Sequence, residues 1–108
     1  MVTVKETIES MVKNFNPEPA KGWNRVLQIT ITGKGGGTWN LVIKDQKCTL
    51  HEGEHKNPDM QITTDADTWL MIFSGKLSGP AAHMQGKLKA DGLIDDFVRV
   101  ASIFQGIL

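Results

Sequence analysis

The 108-residue sequence lacks several features that identify common classes of protein. Its one cysteine cannot form an internal disulfide, and twelve Lys and Arg balance twelve Asp and Glu without a basic cluster, which argues against a nucleic-acid partner. No stretch approaches the ~20 apolar residues of a membrane span. We find no signal peptide, and the C-terminal Gly106-Ile107-Leu108 is not a peroxisomal address. We therefore expect one domain over residues 1–108, located in the cytoplasm.

A pattern typical of zinc peptidases, H-E-x-x-H, occurs from His51 to His55. It forms a metal site only on a helix, where residues four apart lie on one face. Here the pattern follows a strand-like run, Gly53 is a poor helix former, and Pro58 closes the segment. We therefore predict a turn, no peptidase activity and no structural metal, with weak adventitious metal binding as the open alternative.

A second stretch, Gly33 to Thr38, resembles a phosphate-binding loop in composition. Such a loop needs Lys directly before Ser or Thr and a helix behind it, so that backbone amides face the phosphates. Here Lys34 is followed by glycine, and Thr38 opens an alternating, strand-like pattern. We therefore predict a hairpin connection whose glycines adopt positive φ.

Hydrophobic periodicity divides the chain into helices and strands. Apolar residues at helical spacing follow a capping box at Thr3 and Glu6, and a second capping signal over Thr64-Asp65-Ala66-Asp67 precedes a run that is apolar on more than one helix face. Between these helices the apolar period changes to two, which is typical of strands with one wetter face. The predicted helices cover 4–15, the apolar run 69–73 after the second capping signal, 79–84 and 93–104, and the predicted strands centre on 27–31, 39–43, 48–50, 60–62 and 87–90.

This order predicts an α+β domain, with a five-stranded, mostly antiparallel sheet that has one face covered by helices. The last helix has surplus apolar surface, because its apolar residues span roughly 160° where a surface helix needs ~100°. Those residues are Leu93, Ile94, Phe97, Val98, Val100, Ala101 and Phe104. From the residues alone, both a solid core and a hollow interior stay open.

The sequence offers no set of residues to which catalytic roles can be assigned. Cys48 faces the predicted core while His51 points the other way, so we interpret Cys48 as a core thiol rather than a nucleophile. Asp95 and Asp96 occupy the first turn of the last helix, where the macrodipole favours negative charge. His83 is interpreted as an exposed or hydrogen-bonded imidazole, with ligand contact as the alternative. We therefore predict no enzyme activity and no cofactor.

The most distinctive stretch is SGKLSGPAAHMQGKLKADG, Ser74 to Gly92. Its Gly-Lys-Leu and Gly-Lys-Leu-Lys segments follow the spacing of the sterol carrier protein 2 family of lipid-binding domains, which the sequence resembles from Trp39 to its C-terminus. The match is looser in the first helix and first strand. His83 stands where family members often carry an aromatic residue, and Asp91-Gly92 replaces the common Gly-Asp order.

The resemblance implies a hollow interior: an apolar tunnel that binds fatty acids, acyl-CoA or sterols. It implies non-catalytic binding and transfer of lipid by a monomer or weak homodimer, with transient membrane contact. The alternative is an accessory or interaction domain that presents lipid to, or dimerises with, a lipid-metabolising enzyme. The residues expected in the lipid tunnel are Trp39, Leu41, Ile43, Leu70, Phe73, Met84, Phe97, Val100, Ala101 and Phe104.

The last helix is further expected to form a movable wall of this tunnel. A helix at the end of a chain has one covalent tether and can tilt to admit a lipid tail.

Overall fold

The computed structural model describes residues 2–104, which form five strands and four α-helices. The elements are α1 (Val4–Lys13), a 3-10 turn (Glu18–Ala20), β1 (Arg25–Thr32), β2 (Gly37–Lys44), β3 (Lys47–Glu52), β4 (Met60–Asp65), α2 (Ala66–Phe73), α3 (Gly79–Met84), β5 (Leu88–Asp91) and α4 (Ile94–Ile103). The predicted α+β class is confirmed. Residues 105–108, on which the expectation about a peroxisomal address rests, lie outside the described residues.

The five strands form one sheet in the order β3-β2-β1-β4-β5. β1 pairs antiparallel with β2 and parallel with β4, while β2–β3 and β4–β5 are antiparallel. A parallel pair cannot be joined by a tight turn, so the chain must cross from edge strand β3 past β2 and β1 to reach β4. The segment 53–59 makes this crossing.

Two hairpin turns connect the first three strands, and the glycine-rich one between β1 and β2 is the hairpin predicted from the sequence. Asp45 and Gln46 have φ values of 52° and 59°, the backbone of a type I′ turn that suits the twist of β2 and β3. The longer turn between β1 and β2 requires glycine at position 36, because a Cβ on Gly36 would overlap the carbonyl oxygen of Ile31. The glycine-rich stretch is thus explained by backbone geometry.

Helix α1 begins at the predicted capping box. The backbone N–H of Glu6 donates to Thr3 Oγ1 at 3.1 Å, and the Glu6 carboxylate accepts from the backbone N–H of Thr3 at 3.2 Å. The helix ends at Lys13 rather than at Phe15 as predicted, because Asn14 leaves the helical conformation. Phe15 instead turns toward the C-terminal helix, where its ring lies 6.0 Å from that of Phe104.

The two faces of the sheet differ in character. Alternate residues such as Leu27 and Leu41 point toward the helices and are fully buried. The opposite face carries polar side chains, yet it is drier than predicted: Gln28 and Asn40 are also buried there.

The crossing segment 53–59 causes this burial. The backbone N–H of His55 donates to Gln28 Oε1 at 2.8 Å, and Asn40 Nδ2 donates to the carbonyl of Gly53 at 3.0 Å. These bonds pair one polar atom of each buried amide, leave Asn40 Oδ1 without a partner among the described residues, and fix the crossing to the outer face of the sheet.

Candidate functional site

An open cavity of about 480 Å³ lies between α2, α3 and α4 and the edge of the sheet formed by β4 and β5. The floor of the cavity is formed by alternate residues of β4 and β5, which point to the same face of the sheet. Ile62 on β4 and Ala90 on β5 are register partners, and Leu88 precedes Ala90 on the same face. Their neighbours Lys89 and Asp91 project from the other face and are exposed. The floor is therefore made of hydrocarbon.

Helix α2 contributes Trp69 and Ile72 to the wall. The helix starts within the predicted capping signal Thr64–Asp67, where Asp65 accepts a hydrogen bond from the backbone N–H of Thr68 at 3.0 Å. The indole N–H of Trp69 donates to Thr7 Oγ1 on α1 at 2.6 Å. Because that N–H is already bonded, Trp69 adds apolar surface to the cavity without a free donor.

Helix α3 forms one lip of the mouth with His83 and Met84, and α4 forms another with Ile94. Ser78 starts α3 by accepting a hydrogen bond from the backbone N–H of Ala81 at 3.1 Å. Met84 is 87% exposed and Ile94 is 80% exposed, although both also line the cavity. The apolar lining therefore continues onto the protein surface at the mouth.

The turn that leads from β5 into α4 depends on Gly92. Its φ is 143°, and a Cβ there would lie 3.0 Å from the carbonyl oxygen of Asp59 and 3.2 Å from the side chain of Met60. Only glycine accepts this conformation and this close approach together. Gly92 lines the cavity and brings the turn before α4 against Met60, the first residue of β4.

One face of α4 is fixed by a buried carboxylate. Asp96 is 5% exposed and accepts hydrogen bonds from Trp23 Nε1 at 3.1 Å and from Arg25 Nε at 3.2 Å. The guanidinium groups of Arg25 and Arg99 lie 5.7 Å and 5.9 Å from the Trp23 ring, and Arg99 Nη1 donates to the carbonyl of Pro19 at 2.8 Å. We call these five residues the Asp96 anchor. Sequence reasoning treated Asp96 as a helix-terminal charge, and nothing in the local pattern pointed to its distant partners.

The C-terminal end of α4 is also held. The backbone N–H of Asn16 donates to the carbonyl of Ile103 at 3.0 Å, and Phe104 is fully buried against Phe15. Together with the Asp96 anchor, these contacts give α4 more restraints than the single covalent tether assumed from the sequence. A wall that moves must therefore break them.

The ten side chains predicted for the lipid tunnel fall into three groups. Met84, Phe97, Val100 and Ala101 line the cavity. Leu70 and Phe73 lie on another side of α2, in a more open groove of about 420 Å³ with Val2 and Met71. The remaining four, Trp39, Leu41, Ile43 and Phe104, are buried in the packed core and do not line the cavity. Contact of any of the ten with a ligand stays a prediction.

Sequence reasoning missed several lining residues. Those missed include Ile62, Trp69, Ile72, Leu88, Ala90 and Ile94. The alternation in β5 and the surplus apolar surface of the last helix were visible in the sequence. The position of β5 beside β4, which brings these surfaces together, was not.

The remaining motifs lie away from the cavity. β3 ends at Glu52 and Gly53 has a φ of 98°, so His51 and His55 do not share a helix face, as predicted. Burial raises the pKa of Cys48 to about 12, which keeps the thiol protonated and agrees with its interpretation as a core residue.

Within residues 2–104, no three His, Cys, Asp or Glu side chains are grouped closely enough to hold a metal ion. In the same residues, no helix combines the length and apolar character needed to cross a membrane.

Solved structures with this arrangement of strands and helices include a protein of similar length and a much longer sulfatase. Palmitated SCP2L2 from Aedes aegypti is 25% identical, with a TM-score of 0.72 over 96% of this chain and 96% of that chain. The stereoselective inverting sec-alkylsulfatase Pisa1 from Pseudomonas sp. is 18% identical, with a TM-score of 0.80 over 95% of this chain and 16% of the sulfatase. The sheet order and helix placement thus define a sterol carrier protein 2-like domain.

The chain belongs to the SCP-2 sterol transfer family, whose sequence profile matches residues 6–105. The resemblance drawn from the Ser74–Gly92 stretch is thereby confirmed. A curated relative is hydroxysteroid dehydrogenase-like protein 2 from Mus musculus, 33% identical over 92 residues, which are 84% of this chain and 19% of that protein. The chain spans about a fifth of the length of the curated relatives it matches.

Proposed function

We propose that this chain binds and transfers a lipid without catalysis, and that the apolar part of the lipid occupies the cavity beneath α2, α3 and α4. The observation that carries the proposal is the cavity itself, about 480 Å³ of space with an apolar wall. Small-molecule sites commonly have volumes of roughly 300–1,000 Å³. A wall of this chemistry selects hydrocarbon, and the family match and the palmitated relative support a fatty acid, acyl-CoA or sterol-like ligand.

Burial of hydrocarbon provides enough free energy for useful affinity. A chain of about sixteen methylenes at ~0.8 kcal/mol each gives ~13 kcal/mol in gross terms. Association entropy and ordering of the tail subtract several kcal/mol, and a micromolar dissociation constant needs about 8 kcal/mol. No catalytic group is required for binding of this strength.

The lining supports a binding role over a catalytic one. Among the described residues that line the cavity, His83 is the one with an ionisable side chain, so a nucleophile and a base are not paired there. Cys48 lies outside the cavity and is held as a thiol by burial. We also propose a cytoplasmic location, for which the single cysteine is the support.

Native mass spectrometry and titration with palmitic acid test the proposal. The wild-type protein, after removal of co-purified lipid, is expected to bind one palmitate with a micromolar or lower dissociation constant. Ala101→Trp adds a large ring to the cavity wall and should abolish binding, whereas Val98→Trp, at a residue of the same helix that does not line the cavity, should not. A wild-type protein that binds no palmitate, acyl-CoA or sterol would contradict the proposal.

A second candidate role is presentation of lipid to an enzyme. The support is that matching segments make up a fifth of the dehydrogenase-like relatives and 16% of the sulfatase chain. Transfer of a pyrene-labelled fatty acid between vesicles separates the two roles. Acceleration by the protein supports a stand-alone carrier, while tight binding without transfer supports presentation.

A further inference from the structure

The cavity has one lining side chain that can recognise a polar head group. Of the described residues around it, only Trp69 and His83 carry side-chain N–H groups, and the indole N–H of Trp69 is already donated to Thr7 at 2.6 Å. The imidazole of His83 is therefore the donor available to a ligand. An amphiphilic ligand should therefore bind in one orientation, with its polar end at His83 and its apolar end against the wall.

The position of His83 fits a head group better than a buried part of a ligand. It lies in the last turn of α3, is exposed to solvent, and is adjacent to Met84, which is 87% exposed at the mouth. A charged or strongly polar head is costly to bury among hydrocarbon but keeps part of its hydration at such a mouth. The tail of an amphiphile would then occupy the apolar floor.

We propose that His83 binds the head group of the lipid and makes the site selective for single-chain lipids with an anionic, hydrogen-bond-accepting head, namely fatty acids, over neutral lipids of equal length. This inference rests on the proposed lipid-binding function. An imidazole N–H donates to a carboxylate about twice as strongly as to a neutral hydroxyl. A neutral alcohol or sterol would gain less from the same donor.

Other charges near the mouth do not supply this selectivity. Lys87 and Lys89 lie beside or on β5, and Asp91 and Asp95 flank the start of α4, but all four are exposed and none lines the cavity. The two lysines would attract an anionic head group and the two aspartates would repel it, and water and salt screen both effects. His83 is therefore the residue whose replacement should separate acid from alcohol.

The test is displacement of Nile red, a neutral apolar dye, by palmitic acid and by 1-hexadecanol. The wild-type protein should bind the acid about threefold to tenfold more tightly than the alcohol, the range expected for a charged contact at a solvated site. His83→Phe should remove this preference by weakening palmitate binding more than hexadecanol binding. His83→Gln should keep part of it, because its side-chain amide still donates.

His51→Phe provides the matched control, because His51 is an exposed histidine on the sheet face opposite the cavity. It should leave the affinities for both ligands unchanged. A His83→Phe variant that keeps the full preference for acid, or that loses affinity for acid and alcohol equally, overturns the inference and leaves lipid binding standing. If neither ligand displaces the dye from the wild-type protein, the proposed function itself fails.

A spectroscopic readout tests contact directly. The chain has three histidines, so their imidazole signals can be assigned with single variants. Palmitate should shift the signals of His83 but not those of His51 or His55, and hexadecanol should shift the signals of His83 less. Equal shifts for the two ligands, or none at His83, overturn the inference.

Discussion

The helix-covered side of the sheet contains two regions that are packed differently. In the filled region, over β1, β2 and β3, side chains from α1 and from residues 15–25 join the strands in one cluster of buried apolar residues. In the hollow region, over β4 and β5, α2, α3 and α4 leave about 480 Å³ of space. The side chains that meet in the filled region include Ile8, Met11, Leu27, Leu41, Ile43 and Phe104, each at most 1% exposed.

Composition does not distinguish the two regions, because both are lined by aliphatic and aromatic side chains. The two regions differ in the helices that cover them. Ten-residue α1 spans the filled region and packs against β3, where Lys5 also forms an exposed ion pair with Glu52 at 3.3 Å. The hollow region is covered by shorter α2 and α3 and by one face of α4, whose other face is held by the Asp96 anchor.

The largest expected effect is in the filled region. Phe104→Ala removes a fully buried ring and should lower the free energy of unfolding by about 3–5 kcal/mol, measured by urea denaturation of the lipid-free protein. Val98→Ala on the exposed side of α4 should change it by less than about 0.5 kcal/mol. If Phe104→Ala is nearly neutral for stability but removes palmitate binding, Phe104 belongs to the lipid site and the division drawn between the regions is wrong.

The Asp96 anchor should contribute less than the core. Asp96→Asn keeps the shape of the side chain but removes the charge facing Arg25, and should cost about 1–3 kcal/mol of unfolding free energy. Asp95→Asn is the matched control, because Asp95 is exposed on the same helical turn. If the two variants lose equal stability, the buried hydrogen bonds of Asp96 are not what holds α4.

Equal substitutions in the two regions should have unequal effects. Ala20→Leu adds volume at a fully buried position and should cost about 1–3 kcal/mol, because a packed core has no room for it. Ala90→Leu adds the same volume to the cavity and should cost less than about 1 kcal/mol while weakening palmitate binding. Urea denaturation and palmitate titration of both variants test this. A larger loss of stability from Ala90→Leu would mean that the hollow region is already filled.

Much of the fold could be predicted from the sequence, because its signals are local. The capping box at Thr3, the capping signal before α2, the glycine-rich turn after β1 and the alternation of the strands each depend on residues within one turn or strand. The parallel pairing of β1 with β4 depends on the path of the crossing segment, which local periodicity does not encode.

The candidate site was less predictable for a related reason. Apolar periodicity identified surfaces that must be buried, but it could not tell which of them meet each other and which face a cavity. Phe97 and Phe104 are seven residues apart and share one face of the predicted last helix, yet Phe97 lines the cavity and Phe104 packs against Phe15. Likewise, Asp95 and Asp96 are adjacent in sequence, but only Asp96 is buried, and its partner Arg25 lies 71 residues away. A local pattern cannot indicate so distant a partner.

The last prediction concerns the reactivity of cysteine, which probes both regions and is expected to change stability least. With a pKa of about 12, Cys48 has roughly one part in ten thousand of reactive thiolate at pH 8. It should therefore react with iodoacetamide at a rate far below that of the urea-unfolded chain. The thiol ionises at a lower pH in the unfolded chain than in the folded protein. Any stability from the protonated thiol is therefore lost as pH rises from about 8.5 toward 12.

A cysteine placed in the hollow region should behave in the opposite way. In a Cys48→Ser background, Ala90→Cys should react at least about tenfold faster than Cys48 does in the wild-type protein, because the open cavity admits the reagent. Palmitate should protect the new thiol but leave the slow rate of Cys48 unchanged, since ligand and reagent compete for one cavity. Mass spectrometry of the alkylated protein over time measures both rates. Protection of Cys48 by palmitate would place the lipid over β3, in the region that the structure fills with side chains.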